Sequence, residues 1–311
     1  MDYTIFYKTY YDNGNLSEMP MYDIFLSAYD NCDRTKNTFE NIKANVKKWF
    51  IFPHYGYGDI DDKPSGDIIY TNEHYSESEF FLDFINYFDS GKFAESKICI
   101  DTTGFIRPHL IYLLNFLNHK KVVKLDLIYT EPVKYVNADE TKFSGYIDEI
   151  RDVHACSAIN NNPCKDKDLL IVCAGYDDNL IEKISQNKKH CPNKYYIVGF
   201  PSLQPDMYQE NMLKLHKVRE SMGESRVLKF APAFDPFVTA QVISDIIEEN
   251  PDATNIYLCP LSTKPQTVAM ALYYINHSQN MPLSIIFPHS KSYSSQHAVG
   301  VKRTWRYTLE L

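Results

Sequence analysis

The sequence predicts an α/β protein built on a Rossmann-like, doubly wound and mostly parallel sheet, with helices on both faces and an antiparallel C-terminal edge strand. Three observations carry this. From about residue 95 onward, short apolar runs alternate with helical patterns. The runs are continuously apolar, as expected for strands buried on both faces. Proline also recurs where runs end, at Pro53, Pro132, Pro201, Pro232, Pro260 and Pro288. Proline has no N–H for a ladder and stops strands. Six such stops also align the following loops on the carboxyl edge of one sheet.

The elements follow in order. MYDIFLSAY (21–29) reads as a strand, 32–46 as a helix and KWFIFP (48–53) as a strand. A Tyr-, Gly- and Asp-rich loop (54–66) precedes a helix over 77–91 that stops at glycine. Strands are predicted at 95–101, 123–130, 168–175, 194–200, 226–232, 254–261 and 283–288. Helices fall between them at 108–119, 177–187, 205–222, 235–250 and 264–278, and the alternating 302–311 suits the antiparallel strand. No Pro/Gly/Ser linker follows the first 94 residues. Residues 1–94 are therefore expected to add strands to the sheet of a core over 95–311. No internal repeat is visible.

Composition narrows the function. The chain has 311 residues, 44% hydrophobic and 23% charged, enough for a sizeable core. Its net charge of −8 argues against a general nucleic-acid-binding surface, which needs clustered Lys and Arg. A small anionic ligand in a locally basic pocket stays open. The 24 Tyr read as core or rim residues with wet hydroxyls. Seven cysteines include no CxxC pair, and Cys99, Cys173 and Cys259 lie in strand runs as reduced core thiols. His154 with Cys156 and Cys164, and the adjacent His190 and Cys191, are partial metal sets without zinc spacing. No metal site and no cofactor are expected. No run approaches the roughly 18 apolar residues of a membrane span, and the opening residues lack a signal-peptide pattern. Cytoplasmic residence is expected.

Several turns could carry chemistry. IDTTGFIRPHL (100–110) ends a strand at Asp101 and opens a helix near Pro108. Thr102, Thr103, Gly104 and Arg107 there suit an anion at a helix start; the plainer alternative is a capped turn. In CPLSTKPQT, Ser262, Thr263 and Lys264 stand between a strand and a helix and would meet a phosphate. Gly175, Tyr176 and Asp177 follow another strand and could admit a ligand, stack on a base and take a ribose hydroxyl; Asp177 equally suits a helix cap. Gln204 is a candidate for sugar or base contact. Asp101, Glu131 and Asp235 are the candidate general acids or bases, provided the fold gathers them. No GxSxG or HExxH is present.

Two resemblances follow from these segments. MYDIFLSAYDNCDRT (21–35) resembles the opening strand and loop of TIR domains, over less than a tenth of the chain, with no counterpart assigned to that family's catalytic glutamate. Over about 97–287, the IDTTGF loop and the late LCPLSTKPQTVAMAL turn resemble the CARF domains of CRISPR-associated sensors. That resemblance implies a cyclic oligoadenylate ligand at the carboxyl edge of the sheet, usually in a homodimer. Thr263 and Lys264 match the family's Thr-Lys, and Thr102–Gly104 its early ligand loop. Leu261 and Ser262 stand where the family has glycines, and the RxxxxH signature of its fused ribonuclease is absent. The expectation is a nucleotide-binding sensor, oligomeric, acting through a separate protein effector in bacterial defence. The rival expectations are a nucleotide or nucleoside hydrolase or transferase, and a structural subunit that binds a protein partner.

Overall fold

The computed structural model describes residues 1–13, 15–57, 64, 69–90, 95–122, 124–135, 147–293 and 298–310. Parts of the 54–66 and 289–297 loops, and the glycine at the end of the 77–91 helix, lie outside the described residues. The chain forms two compact units, one of residues 6–146 and 290–311, the other of residues 1–5 and 147–289. They are called here the N-terminal and C-terminal units.

In chain order, the N-terminal unit begins with β1 (Lys8–Asp12), β2 (Tyr22–Ala28), α1 (Asp33–Asn41), β3 (Ala44–Ile51) and β4 (Ile69–Thr71). It continues with α2 (Glu77–Phe80), α3 (Leu82–Ser90), β5 (Ile98–Asp101), α4 (Arg107–His119), β6 (Lys124–Glu131) and β7 (Lys134–Tyr135). The C-terminal unit holds β8 (Ile147–Asp152), β9 (Leu169–Ala174), α5 (Asp178–Asn187), β10 (Asn193–Gly199), α6 (Met207–Lys217), α7 (Arg219–Met222) and β11 (Arg226–Ala231). It ends with α8 (Pro236–Glu248), β12 (Ile256–Pro260), α9 (Lys264–His277) and β13 (Leu283–Ser290). The chain then returns to the N-terminal unit through β14 (Ala298–Val299) and β15 (Arg303–Glu310).

The expectation of one core over 95–311 with an N-terminal addition gives way to two large sheets, beside a small antiparallel pair of β7 and β14. The first runs β1-β15-β6-β5-β2-β3-β4 and the second β11-β10-β9-β12-β13-β8. Residues 1–94 do supply strands beside β5, but β5 and β6 belong with them and not with β9 onward. Apolar runs and their spacing show that strands exist; they do not show which strand pairs with which.

The two sheets share a topology that no sequence repeat announces. In the first, β2, β3, β4, β5 and β6 are parallel neighbours in the spatial order third, second, first, fourth, fifth. In the second, β9, β10, β11, β12 and β13 repeat that order. This is the Rossmann-like arrangement, whose chain reverses direction between the first and fourth strands. The switch point therefore falls between β2 and β5 in one unit and between β9 and β12 in the other. β15 is antiparallel to β6 as expected, but β1 pairs outside it, antiparallel, and takes the edge.

Burial explains the local choices. Every residue of β5 and β9 is buried, so their continuous apolar runs are what two-sided strands require. Phe50 and Phe52 of the β3 region pack against Phe80 and Phe81, with ring centroids 4.4 Å apart for Phe52–Phe80 and 5.1 Å for Phe50–Phe81. The aromatic content thus goes largely into core packing. Two of the buried tyrosines bond their hydroxyls within the core, Tyr22 to Asp126 at 2.7 Å and Tyr196 to Ser185 at 2.8 Å. The first residues are a case of recruitment: Tyr3 is fully buried in the C-terminal unit, its N–H donating to Gln241 and its hydroxyl 2.9 Å from His277 Nε2.

Candidate functional site at the switch points

Thr102–Gly104 and Ser262–Lys264 end strands of different sheets, so the single common edge expected from the proline stops becomes two. Each unit has its own carboxyl edge, and each switch point is closed in the same way. A Cβ on Gly104 would stand 2.1 Å from the carbonyl oxygen of Ala28, at the end of β2. A Cβ on Gly175 would stand 2.1 Å from the carbonyl oxygen of Leu261, at the end of β12. Both glycines therefore bring the loops of the first and fourth strands into direct backbone contact.

In the N-terminal unit the predicted residues fall into a dense network. Asp101 is fully buried; it accepts the Ser27 hydroxyl at 3.2 Å and the Thr103 N–H at 3.0 Å. Burial pushes its carboxyl up to about 6 despite those bonds. The Thr102 hydroxyl donates to Ile128 O, and the Thr103 hydroxyl accepts the Thr130 N–H at 3.0 Å. Glu131 accepts Trp305 Nε1 at 2.6 Å and lies 3.8 Å from Lys302 Nζ. Tyr55 donates to Gly104 O at 2.8 Å. Asp101 and the two threonines thus first stitch β5 to its neighbours.

The residue that sequence reasoning missed is Arg34. It lies in the first turn of α1, the helix that follows β2, and is nine-tenths buried. Nη1 donates to Thr130 O at 3.1 Å, while its buried Nε has no hydrogen-bond acceptor among the described residues. An unmet buried donor costs about 1–3 kcal/mol. Burial holds the Tyr129 hydroxyl far above its ordinary range and also raises that of Tyr135, and the Arg34 charge opposes both shifts. The two hydroxyls are 3.3 Å apart. Arg107, at the first position of α4 after β5, also acts on Tyr135. Two arginines thus stand in the first turns of the helices that follow the strands flanking this switch point. Asp30 faces the same region, accepting the Thr35 hydroxyl at 2.7 Å. The one signal in the sequence was a cation just after each of two strand ends, and its meaning depended on knowing that β2 and β5 are neighbours.

In the C-terminal unit Gly175 meets Leu261 and Ser262, so the 175–177 and 261–264 turns do come together. Their side chains act as caps. Asp177 caps α5 by accepting the Leu180 N–H, and Asp235 caps α8 by accepting the Phe237 and Val238 N–H groups. Thr263 caps α9 and donates its hydroxyl to Ala233 O. Lys264 opens α9 half-buried. Lys214 Nζ donates to Tyr176 O at 2.9 Å and lies 5.1 Å from the centre of that ring. Gln204 sits half-buried after β10, its carbonyl accepting the Ser202 hydroxyl. Gln266 is fully buried in the first turn of α9, with neither amide atom bonded among the described residues. Of the three candidate carboxylates, Asp101 and Glu131 end the neighbouring strands β5 and β6, and Asp235 belongs to the C-terminal unit.

No family model matches the chain, and no curated protein matches it. Among solved structures, a crystal structure of a ketoreductase domain from the bacillaene assembly line aligns with 89% of this chain and 71% of its own, at 11% identity and a TM-score of 0.25. The class of protein is set by topology: an α/β chain with two Rossmann-like sheets. Among the described residues no helix is long and apolar enough to cross a membrane.

Proposed function

We propose that the protein binds an anionic, nucleotide-type ligand at the β2/β5 switch point of the N-terminal unit. The observation that carries this is Arg34, a buried guanidinium with an unmet Nε donor at the carboxyl edge of a doubly wound sheet, where such folds take ligands. Arg107, the α1 and α4 N-termini and the Thr102–Gly104 turn add positive potential and N–H groups beside it. Tyr135, half-buried and backed by the core residue Tyr129, offers aromatic surface for a base or sugar. The turn at Ser262–Lys264 is a second, weaker candidate, because its Thr263 hydroxyl already caps α9 and donates to Ala233 O.

A sensor role is supported by how the three candidate carboxylates are engaged. Asp101 is sealed from solvent, and Glu131 and Asp235 are held by structural bonds, which favours binding over turnover. The further step, to a defence sensor that signals through a separate effector, is supported only by the likeness of residues 100–105 and 258–272 to CARF domains. The two matching turns lie in different sheets, which weakens that step.

Calorimetric titration with a panel of mononucleotides, dinucleotides and cyclic oligoadenylates tests the reading. At least one should bind with Kd below about 100 μM (about 5.5 kcal/mol). Arg107→Ala should weaken it tenfold or more. Binding unchanged in both Arg107→Ala and Arg34→Lys would overturn the site, as would no binding across the panel.

A further inference from the structure

We propose that Asp168, His190 and Cys191 form a binding site for one divalent metal ion of the zinc class, at the amino-terminal edge of the sheet in the C-terminal unit. Sequence spacing argued against this, because zinc motifs are read from ligands close in sequence. The fold supplies what the spacing lacks. Asp168 immediately precedes β9, and His190 and Cys191 lie in the turn that enters β10. These strands are parallel neighbours, so their entry turns lie side by side.

The geometry fits a single ion. His190 Nε2 is 3.3 Å from Asp168 Oδ2, and the three ligand atoms all lie within 4.8 Å of one another. Tetrahedral zinc with bonds of roughly 2.0–2.3 Å needs ligand separations of about 3.3–3.8 Å. The widest pair therefore has to close by no more than about 1.5 Å. Sulfur, imidazole and carboxylate together select zinc over magnesium or calcium, which take oxygen alone.

The surroundings are those of a prepared ligand set. Asp168 Oδ1 receives Asn255 Nδ2 at 2.7 Å and the Thr254 hydroxyl at 2.8 Å, which fixes the carboxylate; Oδ2 faces His190 and also receives the Tyr257 hydroxyl, at 3.4 Å. Outer contacts of this kind orient metal ligands. Asp168 and Cys191 are buried and His190 is partly exposed, so the cluster borders solvent on the His190 side. Burial, with the Asp168 charge adding to it, pushes the Cys191 thiol up to about 11. The ion would bind as the thiol releases its proton to bulk water and the sulfur forms the metal bond.

Cobalt(II) titration of the full chain, stripped with chelator, reads the site directly. One equivalent should give a thiolate-to-cobalt charge-transfer band and the intense visible absorption of four-coordinate cobalt, both removed by added zinc. Cys191→Ser should abolish the charge-transfer band, and Cys164→Ser, at an exposed cysteine, should leave it. Because Cys191→Ser could disturb the buried turn, zinc-induced stabilisation supplies a second readout: a rise in Tm in the wild type, lost in His190→Ala. Absence of the band in the wild type, or its loss in Cys164→Ser with retention in Cys191→Ser, would overturn the proposal.

Discussion

The β2/β5 and β9/β12 switch points have the same strand order and the same glycine-to-carbonyl closure, yet their polar chemistry differs. The first is flanked by two arginines, one with an unmet donor, and by a tyrosine pair. In the second, Asp177 and Thr263 are spent on helix caps, and the buried atoms without a hydrogen bond among the described residues include those of neutral amides, both of Gln266 and Oδ1 of Asn211. Topology thus decides where a crevice lies, and a few first-turn residues decide which charge it attracts. A Rossmann-like sheet is a position for a site and not yet a site.

The closure shared by both is the sharpest point of attack. Gly104→Ala and Gly175→Ala each drive a Cβ into a backbone carbonyl that cannot rotate away. Each should lower unfolding free energy by roughly 3 kcal/mol or more, at the upper end of overpacking effects. Urea denaturation midpoints measure this. A loss under about 1 kcal/mol in either would break the likeness between the two crevices.

The next effect is confined to the N-terminal unit and depends on pH. Burial pushes Asp101 up to about 6 from its ordinary 3.8 and pushes His54 down to about 4 from 6.5. Asp101 keeps a proton in the folded state that the unfolded chain releases, so its stabilisation is present below pH 4 and is lost as pH rises through 6. His54 is the reverse: its stabilisation is present above 6.5 and is lost as pH falls towards 4. Measured against wild type, Asp101→Asn should gain roughly 2–3 kcal/mol of stability between pH 4 and 7, and His54→Phe should gain as pH falls. A difference flat with pH would show that burial does not set either group.

Ligand affinity separates the two crevices more gently. Arg107→Ala should weaken nucleotide binding by about tenfold, about 1.4 kcal/mol, while Lys264→Ala changes it less than about twofold. Equal losses would assign the ligand to both crevices, and the opposite ranking would move the site to the C-terminal unit. The smallest effect tests the caps. Asp177→Ala and Asp235→Ala should each cost about 1 kcal/mol of stability and leave nucleotide affinity unchanged. Loss of affinity in either would return that carboxylate to the binding site.

Much of the architecture was legible beforehand. The strands at 98–101, 169–174, 193–199 and 256–260 lie where the apolar runs placed them, because a strand buried on both faces must be apolar throughout. The 235–250 and 264–278 helices begin where Asp235 and Thr263 cap them. Arg34 escaped notice because a charged residue in a helical first turn is ordinary unless its helix faces a crevice. The Asp168–His190–Cys191 cluster escaped because its members converge only when β9 lies beside β10.

The amino-acid sequence by itself determined the local matters: which segments are strands or helices, where proline and caps end them, and the α/β class. These follow from backbone chemistry and side-chain periodicity within a few residues. The tertiary structure alone decided that the strands divide into two large sheets and that residues 1–5 join the C-terminal unit while 290–311 join the N-terminal one. It alone decided that Thr102–Gly104 and Ser262–Lys264 serve separate edges and that Arg34 is buried. Strand pairing joins residues far apart in sequence, and many pairings satisfy the same apolar pattern. Only their collective packing selects one.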